Sequence, residues 1–397
     1  MTKTELIKEK YDKYIMPTYT RDGIAFVKGK GITLWDADGK EYLDFFPGWA
    51  VSGIGHCHPK VVAAIREQAG ALIHVSNNYY SELQAELAKK IIDHAFGGKV
   101  FFANSGAEAN ECAIKLARKY GSQSKRYEII TMEKSFHGRT MAMIAATGQD
   151  KVKHGFEPLL EGFKTIPFND LAAVKNAVTE KTVAVMLEPI QGEGGINAAD
   201  KSYLEELKKF CGEKDMLLIF DEVQTAMGRT GEMFAFKNYN VQPDIMTLAK
   251  SLGSGVPIGA TVASSRIADT LTAGTHASTF GGSPIVSAAA LATFEAIEKE
   301  GLLENAKNMG AYLREKLEGL KKEFDFVKKI KGIALMIGVE LSIDGKQIFN
   351  ECAKRGLLIN CTQGSILRIM PPLTVTKEDI DRAVKIISES MTVMQAG

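Results

Sequence analysis

Short, strongly apolar runs separated by longer amphipathic stretches dominate the middle of the chain. Residues 99–103, 127–131, 164–167, 182–187, 217–220 and 245–248 are nearly unbroken apolar segments. Without an alternating polar face, such runs read as strands buried on both sides. Residues 59–72, 81–94, 107–120 and 202–213 instead repeat apolar residues at three-and-four spacing, which predicts helices with one buried face. Strands of the first kind joined by helices of the second predict an α/β domain built on a mainly parallel sheet.

The two ends of the chain differ from this middle. A polar helical stretch opens it, followed by three short strand-like pieces at 24–28, 32–35 and 41–45 with Gly-containing turns between them. Residues 284–299 form an Ala-rich helix. Beyond it, 305–322 and 377–391 read as helices, and 337–341 and 367–370 as strands. The expected division is an N-terminal segment (1–55) packing with a small C-terminal α+β domain (301–397), around a large α/β domain (56–300).

With 397 residues the chain has room for two or three domains at roughly 150 residues each. Lys and Arg number 49 against 48 Asp and Glu, so the net charge of +1 offers no long-range field for nucleic acid or an anionic membrane. No uninterrupted apolar run approaches the ~18 residues of a membrane span, and the charged start, MTKTELIKEKYDKY, lacks the apolar core of a secretory signal. Five cysteines, none in a C-x-x-C pair, suit free thiols in a reducing compartment. These features together place the expected location in the cytoplasm.

Two strand ends carry the first candidate chemistry. Residues 217–220 run straight into Asp221 and Glu222, and 245–248 lead to Lys250 and a Gly-rich turn. In parallel sheets, ligands bind at the carboxyl ends of strands. A buried carboxylate needs a partner, and a desolvated lysine becomes a nucleophilic amine. An Asp at one strand end and a Lys at the next suit pyridoxal phosphate (PLP), which needs a lysine for its aldehyde and an acid for its ring nitrogen.

Three loops could complete such a site. Asn104, Ser105, Gly106 and Ala107 end one strand and open a helix, where small residues and a helix N-terminus favour a phosphate; an ordinary helix cap is the alternative. In 135–140, Phe136 could stack on a planar ring and Arg139 grip a carboxylate. The hydroxyl-rich stretch 276–284 is a second possible phosphate contact. Residues 253–259 have the wrong spacing, and a proline, for a dinucleotide loop. His56 and His58 lack partners at metal-ligand spacing and read as a structural turn near a subunit interface, so no metal is expected.

These segments bring the chain close to a known family. The strings YLDF, GHCHPKVVAAI, SNNYY, FFANSGAEANECAIKLAR, FHGRT, ATGQ, EPIQGEGGI, LLIFDEVQTAMGRTG, PDIMTLAKSLGSGVPIGA, STFGG and LRIMPPL resemble, nearly end to end and in order, the class III (ω-amino) aminotransferases. The resemblance implies the PLP-dependent transferase fold of type I aminotransferases, with a large, mostly parallel seven-stranded sheet domain and a smaller α+β domain. It implies that Lys250 would carry PLP, Asp221 would bind the ring nitrogen, and Gln224 the ring hydroxyl. Val223 and Phe136 would cover the two ring faces, and Ser105, Gly106 and Ala107 would hold the phosphate. Thr279 would reach that phosphate from the neighbouring subunit of a homodimer with shared sites.

For substrates, the resemblance is closest to the branch acting on N-acetylornithine, with 2-oxoglutarate collecting the amino group as glutamate. Other ω-amino donors (succinylornithine, succinyldiaminopimelate, 4-aminobutyrate, lysine) and a same-fold aminomutase are the alternatives. Ser278 would lie near the acylated substrate. Arg139 would bind a carboxylate common to both substrates, while Arg368, masked by Glu193, would serve glutamate alone. Departures from the family pattern occur at Pro47, Asn78, Ala226 and Ser283; Asn78 or Tyr79 is a candidate for lining the acyl pocket.

Overall fold

Residues 1–395 are described by a computed structural model of the chain. Three short strands, β1 (Phe26–Lys30), β2 (Thr33–Asp36) and β3 (Glu41–Asp44), follow an N-terminal helix. Next come β4 (Gly98–Ala103), β5 (Glu128–Met132), β6 (Phe163–Ile166), β7 (Thr182–Leu187), a small hairpin of β8 (Ile190–Gln191) and β9 (Asn197–Ala198), then β10 (Leu217–Asp221), β11 (Ile245–Leu248) and β12 (Gly259–Ser264). The C-terminal part holds β13 (Val327–Ile333), β14 (Met336–Leu341), β15 (Leu357–Leu358), β16 (Asn360–Thr362) and β17 (Ile366–Ile369).

Seven strands form the large sheet in the order β4-β12-β11-β10-β7-β5-β6. The β10–β11, β10–β7, β7–β5 and β5–β6 pairs are parallel. Only β12 runs against its neighbours β11 and β4. It is the strand that hydrophobic patterning misses, because Gly-Ala-Thr-Val-Ala-Ser is too small and too polar to stand out. Its burial comes from its place between two stronger strands rather than from its own composition.

Alternation along the central strands explains why both faces are covered. Leu218 and Phe220 of β10 pack into one core cluster, and Leu217 and Ile219 into another on the opposite face. Helix Gly106–Tyr120 contributes Ala113, Ile114, Leu116 and Ala117 to the second cluster. Helix Pro284–Lys299, rich in alanine, packs closely on the first. Strands buried on two sides carry no polar face, which is why they read as unbroken apolar runs.

The N-terminal segment is joined to the C-terminal part by backbone hydrogen bonds. Strand β15 pairs in parallel with β3, Phe45 N–H donates to Leu358 O at 2.8 Å, and Met370 N–H donates to Phe45 O at 2.7 Å. The sheet β13-β14-β17-β16 carries Arg368 on β17. No helix among the described residues is long and apolar enough to cross a membrane.

Candidate active site

The carboxyl ends of β4, β5, β7, β10 and β11 open on one rim of the sheet. The loops leaving them supply Ser105, Phe136, Glu188, Asp221 and Lys250 in turn, and all five line one cavity of about 420 Å³. That volume lies within the ~300–1,000 Å³ usual for small-molecule sites.

Asp221 ends β10 with 3% of its surface exposed. Its Oδ2 accepts hydrogen bonds from Asn110 Nδ2 and from His137 Nδ1, both at 2.8 Å, and its Oδ1 accepts Val223 N–H at 3.0 Å. Asn110 is itself fixed, donating to His137 O at 2.8 Å and accepting from Thr247 Oγ1 at 2.7 Å. Burial alone would push the His137 imidazole down, but the adjoining Asp221 carboxylate outweighs it and holds the ring more basic than usual. The neighbouring acid points away from the cavity and holds backbone instead. Glu222 accepts the N–H groups of Ala235 and Phe236, and burial pushes its carboxyl up to about 7.

Lys250 follows β11 at a φ of 45°, a left-handed backbone that an unbranched L residue adopts at some cost. Desolvation lowers its ammonium from the ordinary 10.5, partly offset by the carboxylates of Asp221, Glu193 and Glu188. Such an amine is primed to react with a carbonyl. No ion pair engages it among the described residues.

At the other end of the cavity, Ser105 caps helix Gly106–Tyr120, its Oγ accepting Glu108 N–H at 3.2 Å. The cap reading of Ser105 is therefore correct, and it leaves the hydroxyl proton free to donate. The N–H groups of the helix's first turn, at Gly106 and Ala107, have no intrahelical acceptor and face the cavity. A Cβ on Gly106 would come within 2.8 Å of Val223 Cγ1, so glycine is what lets the helix start approach Val223.

Phe136, Val223, Gln224, Arg139 and Glu193 also line the cavity. Gln224 donates weakly to Trp49 O at 3.3 Å, while its buried Oε1 has no partner. Arg139 is exposed, 5.6 Å over the Phe136 ring, with no carboxylate at ion-pair distance among the described residues. Arg368 is 1% exposed beyond the cavity wall: Nη1 lies 2.8 Å from Glu193 Oε1, Nε donates to Asn360 Oδ1 at 2.7 Å, and the guanidinium stacks over Phe46 at 4.7 Å. Arg368 and Glu193 thus form a close ion pair.

The anticipated residues do not all meet here. Thr279 is exposed and away from this chain's cavity. Ser278 accepts Gly281 N–H at 3.0 Å and touches Asn104, a cavity residue, at 3.3 Å. Asn78 and Tyr79 do not line the cavity and sit on an exposed loop instead. His56 and His58 turn to separate acids, Asp44 at 2.7 Å and Glu300 at 3.2 Å.

Sequence reading missed Asn110, His137 and Glu188, as well as the wall formed by Gly255–Ile258, which belongs to the stretch set aside as a false dinucleotide loop. Glu188 had a usable signal: 182–187 runs into it as 217–220 runs into Asp221.

The site suits PLP on its own geometry. It offers an unpartnered lysine amine, a buried carboxylate held by three donors, a phenyl and an isopropyl group in the cavity lining, helix N–H groups without an intrahelical acceptor, and an amide oxygen lacking a donor. That set defines an aminotransferase-type PLP site. In agreement, the family model described as "Aminotransferase class-III" matches residues 15–391, and the chain belongs to that PLP-dependent family.

The chain is 52% identical over 384 residues to an acetylornithine aminotransferase from Caldanaerobacter subterraneus, covering 96% of this chain and 98% of the relative. It is 50% identical over 383 residues to one from Methanocaldococcus jannaschii, covering 96% of each. Among solved structures it resembles ornithine aminotransferase from Toxoplasma gondii, with a TM-score of 0.95 and 32% identity, covering 100% of this chain and 96% of that one. Acetylornithine aminotransferase from Elizabethkingia anophelis superposes with a TM-score of 0.88 and 32% identity, covering 99% and 100%.

Proposed function

We propose that this protein transfers the δ-amino group of N-acetylornithine to 2-oxoglutarate, forming N-acetylglutamate 5-semialdehyde and glutamate, as a step of arginine biosynthesis. The observation that carries this reading is the unequal state of two arginines. Arg139 stands free beside the cavity, whereas Arg368 is neutralised by Glu193. A site at rest with one free and one masked cation fits a donor whose distal carboxylate needs a partner and whose reacting carbon bears none.

Lys250, Asp221, Gln224, Val223, Phe136 and the Ser105–Ala107 turn would hold PLP, which supplies an aldehyde for the amino group and a cationic ring that stabilises negative charge at the reacting carbon. Asp221, fixed by Asn110 and His137, holds a negative charge where that ring nitrogen would lie. Lys250, whose ammonium form burial disfavours, would move the proton at the reacting carbon when neutral. Arg139 holds the distal carboxylate of either substrate with its planar fork. When glutamate or 2-oxoglutarate enters, Glu193 swings from Arg368, and the freed guanidinium takes the carboxylate beside the reacting carbon.

We further propose a homodimer. Tyr79, Tyr80 and Phe280 are exposed, and Asn77 donates to Ser278 O and Gly281 O, which ties their two loops together; Ile73 and Met141 are also exposed. Exposed aromatic patches mark association surfaces. In such a dimer Thr279 would reach the partner's phosphate cup, as the family resemblance implies, and the exposed Tyr79 would be a candidate for lining its acyl pocket. Five free cysteines suit a cytoplasmic setting.

The test is a single half-turnover of the holoenzyme. N-acetylornithine should discharge the cofactor's colour faster than ornithine, 4-aminobutyrate or lysine, and 2-oxoglutarate should restore it. Colour returning without an added oxoacid would point instead to an aminomutase.

A further inference from the structure

Glu188 follows β7 directly and is 6% exposed. Its Oε2 accepts Phe136 N–H at 3.0 Å, and its Oε1 accepts Gly192 N–H at 3.2 Å. One carboxylate therefore bridges two loops that leave different strands: the loop after β5, which carries the ring-covering Phe136, and the turn after β8, which carries Glu193. No ion pair offsets its charge among the described residues. Burial drives the carboxyl up to about 7, against the attraction of His137 and with the repulsion of Asp221.

A buried, unpaired carboxylate is an expensive way to cap two N–H groups. The chemistry explains the choice, because a carboxylate accepts at both oxygens, whereas an amide of the same shape accepts at one and donates at the other. The turn is also held from the opposite side. Glu193 O accepts Thr362 Oγ1 and Gln363 Nε2, both at 2.9 Å. Glu193 is thus clamped between Glu188, through the adjoining Gly192, and the end of β16 with the loop after it, with its side chain left to meet Arg368.

We propose that Glu188 is a positioning residue that ties Phe136 to the Gly192–Glu193 turn and thereby sets how firmly Glu193 masks Arg368, making it a determinant of donor specificity. The inference rests on the two-arginine reading above. Loss of either bond lets the turn drift, weakens the mask, and favours donors with a carboxylate on the reacting carbon.

The experiment compares wild type, E188Q, E193Q and the double variant as holoenzymes. Single half-turnovers are measured with N-acetylornithine and with glutamate, together with amide hydrogen exchange at Phe136 and Gly192. E188Q should move the rate ratio toward glutamate about tenfold, in the direction of E193Q, and the double variant should go little further than E193Q. Exchange at both amides should quicken in E188Q and not in E193Q, a link that reads out whatever the donor. An E188Q ratio within twofold of wild type beside a responsive E193Q overturns the proposal while leaving the two-arginine reading intact. An E193Q that leaves the ratio unmoved counts against that reading itself. Unchanged exchange in E188Q overturns the proposal in either case. If E188Q does not fold, E188D, one methylene too short to span both N–H groups, is held to the same outcomes.

Discussion

The Asp221 carboxylate and the His137 imidazole meet at 2.8 Å with both side chains almost wholly enclosed. Asn110 donates to the same carboxylate oxygen, so the orientation of the acid is fixed by two donors from two different segments. A hydrogen bond to a charged group contributes about 1.5–3 kcal/mol. His137→Phe should therefore loosen PLP retention about tenfold or more while the apoprotein keeps its fold. Equilibrium dialysis of cofactor, paired with a melting curve of the apoprotein, checks this.

Lys250 gives a pH dependence of definite sign. Its folded value lies below 10.5 because burial disfavours the ammonium. Only the neutral amine attacks an aldehyde, so uptake of PLP by the apoprotein should accelerate with rising pH and level off below 10.5. Asp221 is the largest offsetting charge, so Asp221→Asn should move that midpoint further down. The same group makes the apoprotein more stable as pH rises from the folded value toward the unfolded one, since the unfolded chain binds the extra proton. Lys250→Met should remove that slope in melting experiments across the same window.

Among the described residues, the Arg139 guanidinium at the cavity has no ion-pair partner. Arg139→Lys keeps the charge but loses the planar two-pronged donor. The KM for N-acetylornithine and for 2-oxoglutarate should both rise about tenfold, with a smaller change in kcat, as expected for loss of uniform binding. A rise for one substrate alone would assign Arg139 to a single half-reaction.

On the proposed reading, the 2.8 Å ion pair between Glu193 and Arg368 would make opposite demands on the two halves. Glu193→Ala should favour α-amino donors over N-acetylornithine by about tenfold. Arg368→Lys should weaken the glutamate half-reaction by ~100-fold and leave the N-acetylornithine half nearly unchanged. Paired half-reaction rates measure both, and parallel changes in the two halves would make the pair purely structural.

How far these features were legible in the sequence depended on where their causes lie. Strands such as Thr182–Leu187 and Ile245–Leu248 were visible because two-sided burial writes an unbroken apolar run. Asp221 and Lys250 were visible because each stands where such a run ends. Strand β12 was not, since its place in the sheet is imposed by β4 and β11. His137 and Asn110 act through partners more than eighty residues away in the chain, as the His137–Asp221 and Asn110–Asp221 separations show, and no local pattern encodes that meeting. The masked state of Arg368 likewise joins β17 to the β8–β9 hairpin; the family resemblance, not spacing, suggested that pair. Thr279 and Tyr79 lie outside the cavity of the single chain, so the roles proposed for them would need a second copy.

On the proposed function, the amine of Lys250 is the group that would take the cofactor's aldehyde. Reduction of the holoprotein with borohydride, followed by digestion and mass mapping, tests it most directly. One phosphopyridoxyl mark per chain is expected, on the peptide containing Lys250, and none in Lys250→Ala. A mark on another lysine, or no mark on a protein that has taken up PLP, would contradict it.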